Sequence, residues 1–169
     1  KENIFFINEK QVLKHQVKFL KDFFIQHVRP ALVTIILSDV LKQDFSDNRA
    51  FLVVELKSNN NSNLYSFIEI PDQIDRFIVL PKIKDKQYIM MLDDLIRFNF
   101  HLIFSMFNYD NVDSHMVKIT RDAELDFDED HSKSYINKII ESVKDRLTGD
   151  PVRLVYDKRI SNKTLSFVK

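Results

Sequence analysis

From Met116 to Phe127 the chain alternates between apolar and polar residues, with only Met116 and Arg121 off the pattern, and this run constrains the fold more than any other feature. Val117, Ile119, Ala123, Leu125 and Phe127 fall on one parity, and Lys118, Thr120, Asp122, Glu124 and Asp126 on the other. Period two is the signature of a strand with one buried and one wet face. Such a strand needs a sheet beside it and an apolar layer on its dry side. Phe51 to Leu56 and Leu64 to Ile70 supply two more strands. They flank the polar tract Ser58-Asn-Asn-Asn-Ser-Asn63 and read as a hairpin with a loop longer than the tight two-residue kind. Arg76 to Leu80, Tyr88 to Met91 and the set Val152, Leu154 and Tyr156 complete the candidate strands. Ala31 to Leu37 reads as either a strand or a turn-like connection.

Helical periodicity marks three segments. Asn8 and Gln11 form an approximate capping box, after which Leu13, Val17, Leu20, Phe24 and Val28 recur at three- and four-residue spacing. Pro30 ends that helix for want of an amide donor. A second helix starts at Leu92, with Asp93 and Asp94 in the first turn, where negative charge favours the free amides. Leu95, Ile96, Asn99, Leu102, Ile103 and Met106 continue it. Phe98, Phe100 and Phe104 widen its apolar surface beyond one stripe, so it is either sunk in its own domain or covered by another. Ser132 caps a third helix, with Ile136, Ile139, Ile140, Val143 and Leu147 as its stripe and Gly149 and Pro151 as its stop. Helices and strands do not alternate regularly, and one hairpin is present. The expected fold is therefore α+β, a two-layer sandwich with a mostly antiparallel sheet covered by helices, and residues 1–169 form one domain.

Composition narrows the chemistry. Gly149 is the only glycine and cysteine is absent. Phosphate-cradling loops and nucleophile elbows need several glycines, so P-loop, dinucleotide-binding and serine-elbow readings fail. Thiolate and cysteine–zinc chemistry fail as well. Basic and acidic residues number 25 each, against the basic excess of a nucleic-acid binder. No apolar run approaches the ~18 residues that cross a bilayer. The ends, without an initiator Met or a leader at Lys1 and with an apolar stretch at Lys169, read as cuts in a longer chain.

Few constellations remain. The acidic stretch from Asp122 to Asp130 lacks the sixth-position glycine of a calcium loop, and its interleaved apolar residues suit a solvated strand face. His15, His27, His101, His115 and His131 are scattered without ligand spacing. Asp93 with Asp94 and Glu129 with Asp130 are sequence neighbours, which usually point apart, and are read as a helix N-terminus and a solvated loop. Catalytic, cofactor-binding and metal residues are accordingly assigned to none. Lys118, Arg121, Arg153, Lys158 and Arg159 could form a small cationic patch if the strands bearing them were neighbours, and contact a polyanion through charge.

Eight phrases in order resemble the head (middle) domain of bacterial polyphosphate kinase. They are Asp22-Phe-Phe-Ile25, Val28-Arg-Pro30, Phe51-Leu-Val-Val-Glu-Leu56, Phe67-Ile-Glu-Ile-Pro71, Asp75-Arg-Phe-Ile-Val-Leu-Pro81, Met91-Leu-Asp-Asp-Leu-Ile96, Val117-Lys-Ile-Thr-Arg-Asp-Ala-Glu124 and Asp150-Pro-Val-Arg-Leu-Val-Tyr156. The resemblance implies a cytoplasmic parent enzyme, able to associate with membrane through its complex, that moves the terminal phosphate of ATP reversibly onto polyphosphate with Mg2+. It implies a phosphohistidine in domains outside this stretch, and a head domain that is a non-catalytic scaffold meeting other domains and a second subunit. The alternative is a polyphosphate-binding module. No catalytic motif of the family matches here, so none is carried over and the stretch alone is expected to be inactive. The Phe98 to Phe107 region is the expected partner-facing element if it is not core.

Overall fold

The computed structural model describes residues 3–37, 49–59, 63–121, 151–166 and 168. Eight strands form two sheets. β2 (Val33–Leu37), β4 (Leu64–Glu69), β3 (Ala50–Lys57), β7 (Asn111–Arg121) and β8 (Pro151–Tyr156) lie in that order in a wholly antiparallel five-stranded sheet. β1 (Ile4–Ile7), β6 (Gln87–Met91) and β5 (Phe77–Val79) make a three-stranded sheet whose β1–β6 pair is the one parallel pairing among the described residues. The α+β class with a mostly antiparallel sheet holds. The division into two sheets, and β1 itself, are not expected from periodicity.

β3 explains the layering. Its run Phe51-Leu-Val-Val-Glu-Leu56 is buried at every position, as suits a central strand covered on both faces. Leu52, Val54 and Leu56 face the larger core, with Ile68, the helical residues Leu20, Phe24, Leu95 and Ile96, Phe104, and Ile78 and Met90 of the small sheet. Phe51 and Val53 face the other way, onto Tyr65, Phe67, Val117, Ile119, Ile160 and Leu165. The second face is thus covered by the segment that follows β8 and by α4 (Asn162–Leu165), capped by the Ser161 hydroxyl accepting from the Thr164 amide at 3.0 Å.

The first helix departs from expectation at its start. Half of the Asn8–Gln11 box forms, with the Asn8 amide donating to Gln11 Oε1 at 3.0 Å while Asn8 Oδ1 accepts from the Lys10 amide, and it closes an isolated turn. Gln16 closes a second turn by accepting from the Leu13 amide at 2.9 Å, and α1 runs only from Val17 to Phe23. Both glutamine side chains occupy amides that a helix would use, which delays it and leaves Leu13 40% exposed. A π-helical turn (Phe24–Val28) and a 3-10 turn (Arg29–Ala31) carry the path one residue past Pro30.

The helix after β6 is split into α2 (Leu92–Phe98) and α3 (Phe100–Ile103). Asn99 sits between them with φ −104° and ψ 16°, and its side-chain amide donates to the Leu95 carbonyl at 2.9 Å. Phe100 and Phe104 are buried, whereas Met106, expected on the apolar stripe, is 92% exposed because the path leaves the helix before it. The wide apolar surface at Phe100 and Phe104 is therefore core. β7 begins five residues earlier than the alternating pattern, at Asn111, and its burial alternates as expected from His115 to Ile119. The expected Ser132 helix and the acidic stretch from Asp122 to Asp130 lie outside the described residues.

Candidate functional site

β7 and β8 are neighbours, the condition on which the cationic patch depended. Lys118 pairs with Val155 and Thr120 with Arg153 across the ladder. Opposed residues share a face, so Lys118 and Arg153 lie diagonally on the side of the sheet away from Val117 and Ile119, and both are exposed. Arg121 lies opposite Pro151, beyond a register shift at Thr120 and Arg121. Lys158 and Arg159 occupy the turn after β8. Arg159 folds back on Asp157, with Nη2 3.1 Å from Oδ2 and its own amide donating to Oδ1 at 3.0 Å. These bonds hold the Asp157 carboxyl down to about 2. Of the five cations, the ladder brings Lys118 and Arg153 together, and Arg159 is spent locally.

Beside Lys118 a groove of about 650 Å³ opens over Ile70, Ile74 and Met116, and two further cations, Arg49 and Arg76, stand on its wall. Arg49 is ion-paired with Asp72 and, at 3.5 Å, with Glu69. Arg76 lies 3.7 Å from Asp93. Neither arginine sits in a periodic pattern, so no signal in the sequence tied them to Lys118. The largely solvent-facing Arg49–Asp72 pair holds with about 0–1 kcal/mol, little enough for a multivalent anion to compete, whereas Asp93 is buried and is held mainly by Arg97.

The opposite face holds a buried polar cluster at Glu55 and a buried histidine, His115. Glu55 accepts from Tyr65 Oη at 2.9 Å and Asn63 Nδ2 at 2.8 Å through one oxygen, and from Thr164 Oγ1 at 3.3 Å through the other. Burial, and then the Glu55 bond and charge, push the Tyr65 phenol up to about 12. A carboxylate with both oxygens engaged pins α4 to the sheet and has little freedom to act as an acid or base. His115, also buried, lies between Asp113 at 3.6 Å and Asp157 at 3.7 Å, beyond hydrogen-bond reach of either. His15, His27 and His101 are exposed and on separate elements, and His131 is outside the described residues.

Asp93 and Asp94 do occupy the first turn of α2. Arg97 one turn on clamps both, with Nη1 2.7 Å from Asp93 Oδ2 and 2.8 Å from Asp94 Oδ1. Desolvation and the adjacent Asp93 charge raise Asp94 to about 6, against the lowering pull of Arg97. Among the described residues no three acidic or histidine side chains gather as a metal cluster, and no helix is long and apolar enough to cross a membrane.

Comparison with known proteins supports the family resemblance. The family described as polyphosphate kinase middle domain matches residues 15–169. The polyphosphate kinases of Vibrio cholerae serotype O1, Yersinia pestis and Escherichia coli K12 are 35%, 32% and 31% identical to this chain over 99–100% of it. The chain spans 25% of the length of each. The crystal structure of polyphosphate kinase from Porphyromonas gingivalis superposes on 98% of this chain and 23% of its own, with a TM-score of 0.74 at 22% identity, a likeness of fold. On the extent of the family match and the identity of these relatives, the chain belongs to the polyphosphate kinase middle-domain family.

Proposed function

We propose that residues 1–169 are a single non-catalytic domain, a scaffold that positions the other parts of a polyphosphate kinase. Its parent reversibly transfers the terminal phosphate of ATP to polyphosphate, with Mg2+ and a phosphohistidine in domains beyond this stretch. The parent works in the cytoplasm and with a second subunit. One observation carries the scaffold reading: the buried and half-buried carboxylates are held in structural contacts. Glu55 serves Tyr65, Asn63 and Thr164, Asp93 and Asp94 share Arg97, and Asp157 holds Arg159. The test is to label the full-length parent from radiolabelled ATP, quench in alkali to preserve phosphohistidine, and map the label by mass spectrometry. Label confined to sequence outside residues 1–169 supports the reading, and label on His15, His27, His101, His115 or His131 overturns it.

A second reading has its own observation, the shared face of Lys118 and Arg153 beside the Arg49 and Arg76 groove. On this reading the domain guides a polyphosphate chain by charge. Calorimetry with polyphosphate of defined length at two salt concentrations tests it. Binding that weakens steeply with salt supports it, and no heat at low salt ends it.

A further inference from the structure

The small sheet has one face in the core and one apolar face left exposed among the described residues. Ile78 and Met90 point inward and are buried, with Ile7 and Tyr88 half-buried against the same core. The other parity gathers Ile4, Phe6, Ile89, Met91, Phe77 and Val79 across all three strands, since Phe6, Ile89 and Val79 stand in one row and Phe77 faces Met91. Phe6 is 65% exposed, Val79 58% and Phe77 55%. Phe6 and Phe77 meet edge to face with ring centroids 6.2 Å apart, so the patch is continuous across the sheet. The one polar side chain of that parity, Gln87, is turned onto the backbone and donates to the carbonyls of Leu80 and Tyr88. At its β5 rim the patch runs into an open cavity of about 550 Å³ walled by Phe23, His27 and Asp75, with room for a large side chain. A wet sheet face normally alternates polar-out, and this one carries no charged side chain within its three strands.

We infer that this face is the seat of another domain of the same polypeptide, docked through an apolar surface that drives an anchor side chain into the β5 cavity. The inference rests on the scaffold reading and names the surface that performs it. Two observations select this occupant over a second copy. The relatives are about four times as long as the chain, so most of the parent polypeptide lies outside this stretch. The patch is also small: three strands about 4.8 Å apart, with about five residues rising ~3.3 Å each, give roughly 200 Å². A stable interface between separate chains takes about 800 Å² from each partner. A tethered domain needs far less, because its local concentration is on the order of millimolar.

Maleimide labelling of single-cysteine variants of the full-length parent tests this, with other cysteines replaced. Val79→Cys reports the patch and Lys82→Cys, exposed three residues on, is the control. The docked face predicts that Val79→Cys reacts at least about tenfold more slowly than Lys82→Cys, at every protein concentration from subunit assembly to monomer. Equal rates overturn the inference. Protection that vanishes on dilution to monomer also overturns it, and assigns the face to a second subunit. Neither outcome bears on where the phosphate is carried, so the phosphohistidine map tests the scaffold reading separately.

Discussion

Replacing Glu55 probes the junction between the five-stranded sheet and the segment after β8. In Glu55→Ala the Tyr65 hydroxyl, the Asn63 amide and the Thr164 hydroxyl lose a charged acceptor. Asn63 is half-exposed and regains water, and Thr164 keeps its 2.8 Å contact with Ser161 Oγ. The main loss is the buried phenol bond, worth about 1.5–3 kcal/mol for a charged acceptor, plus about 1 kcal/mol at Thr164. Relief from keeping a carboxylate out of water offsets about 1 kcal/mol of this. The net expectation is a loss of about 1.5–3 kcal/mol, read as a lower urea midpoint with unchanged slope. Glu55→Gln keeps an acceptor and should cost about 1 kcal/mol. Both variants should also lower the Tyr65 phenol from about 12 toward 10 without reaching it, because burial is the larger cause. A raised phenol pKa in the folded state means stability present below pH 10 and lost as pH rises toward 12. Tyrosine ring-carbon NMR across pH 9 to 12 follows this residue directly. A Glu55→Ala protein within about 0.5 kcal/mol of the parent sequence, with Tyr65 titrating unchanged, would refute the network.

Three further outcomes follow from the same contacts. Phe104→Ala should destabilise by about 3–5 kcal/mol through a core cavity beside Phe100 and Phe107, while Met106→Ala should change stability by less than about 0.5 kcal/mol; thermal unfolding compares them. Asp94 binds a proton more tightly when folded, so stability should fall as pH rises from about 4 to about 6. The slope is bounded by about 3 kcal/mol in total and reduced by solvent screening, and Asp94→Asn should flatten it in urea melts at stepped pH. Lys118→Glu and Arg153→Glu should each weaken polyphosphate binding and make its salt dependence shallower by about one unit of slope, whereas Lys158→Glu should have a smaller effect.

Sequence alone discloses what single-strand and single-helix periodicity encodes. The parity of Val117 and Ile119 against Lys118, the β3–β4 hairpin around its asparagine loop, and the acidic first turn of α2 all follow from local pattern. β3 reads equally well as a buried strand, and Glu55 inside that run signals a polar site, since a strand covered on both faces leaves a carboxylate no water. Of its partners, Asn63 and Tyr65 lie 8 and 10 residues on across that hairpin, with Tyr65 opposite Glu55, but Thr164 lies 109 residues away where no local pattern identifies it. Glutamine side chains that close turns at Asn8 and Leu13 compete with helix formation in a way that apolar spacing does not record. β1 is silent in the sequence because Ile4-Phe-Phe-Ile7 has no alternation. It is a strand only through its parallel pairing with β6, a contact between segments about 80 residues apart. Arg49 and Arg76 likewise join Lys118 only in the folded chain. The five-cation patch is half legible: the β7–β8 pairing aligns Lys118 with Arg153, and the turn after β8 draws Arg159 away to Asp157.

Incubating purified residues 1–169 with ATP and Mg2+, and measuring polyphosphate formed against the full-length parent, tests most directly whether this stretch holds a kinase together without performing its chemistry. The expected result is no polyphosphate from the stretch alone and ready synthesis by the parent. Sustained, magnesium-dependent turnover that copurifies with residues 1–169 would contradict it.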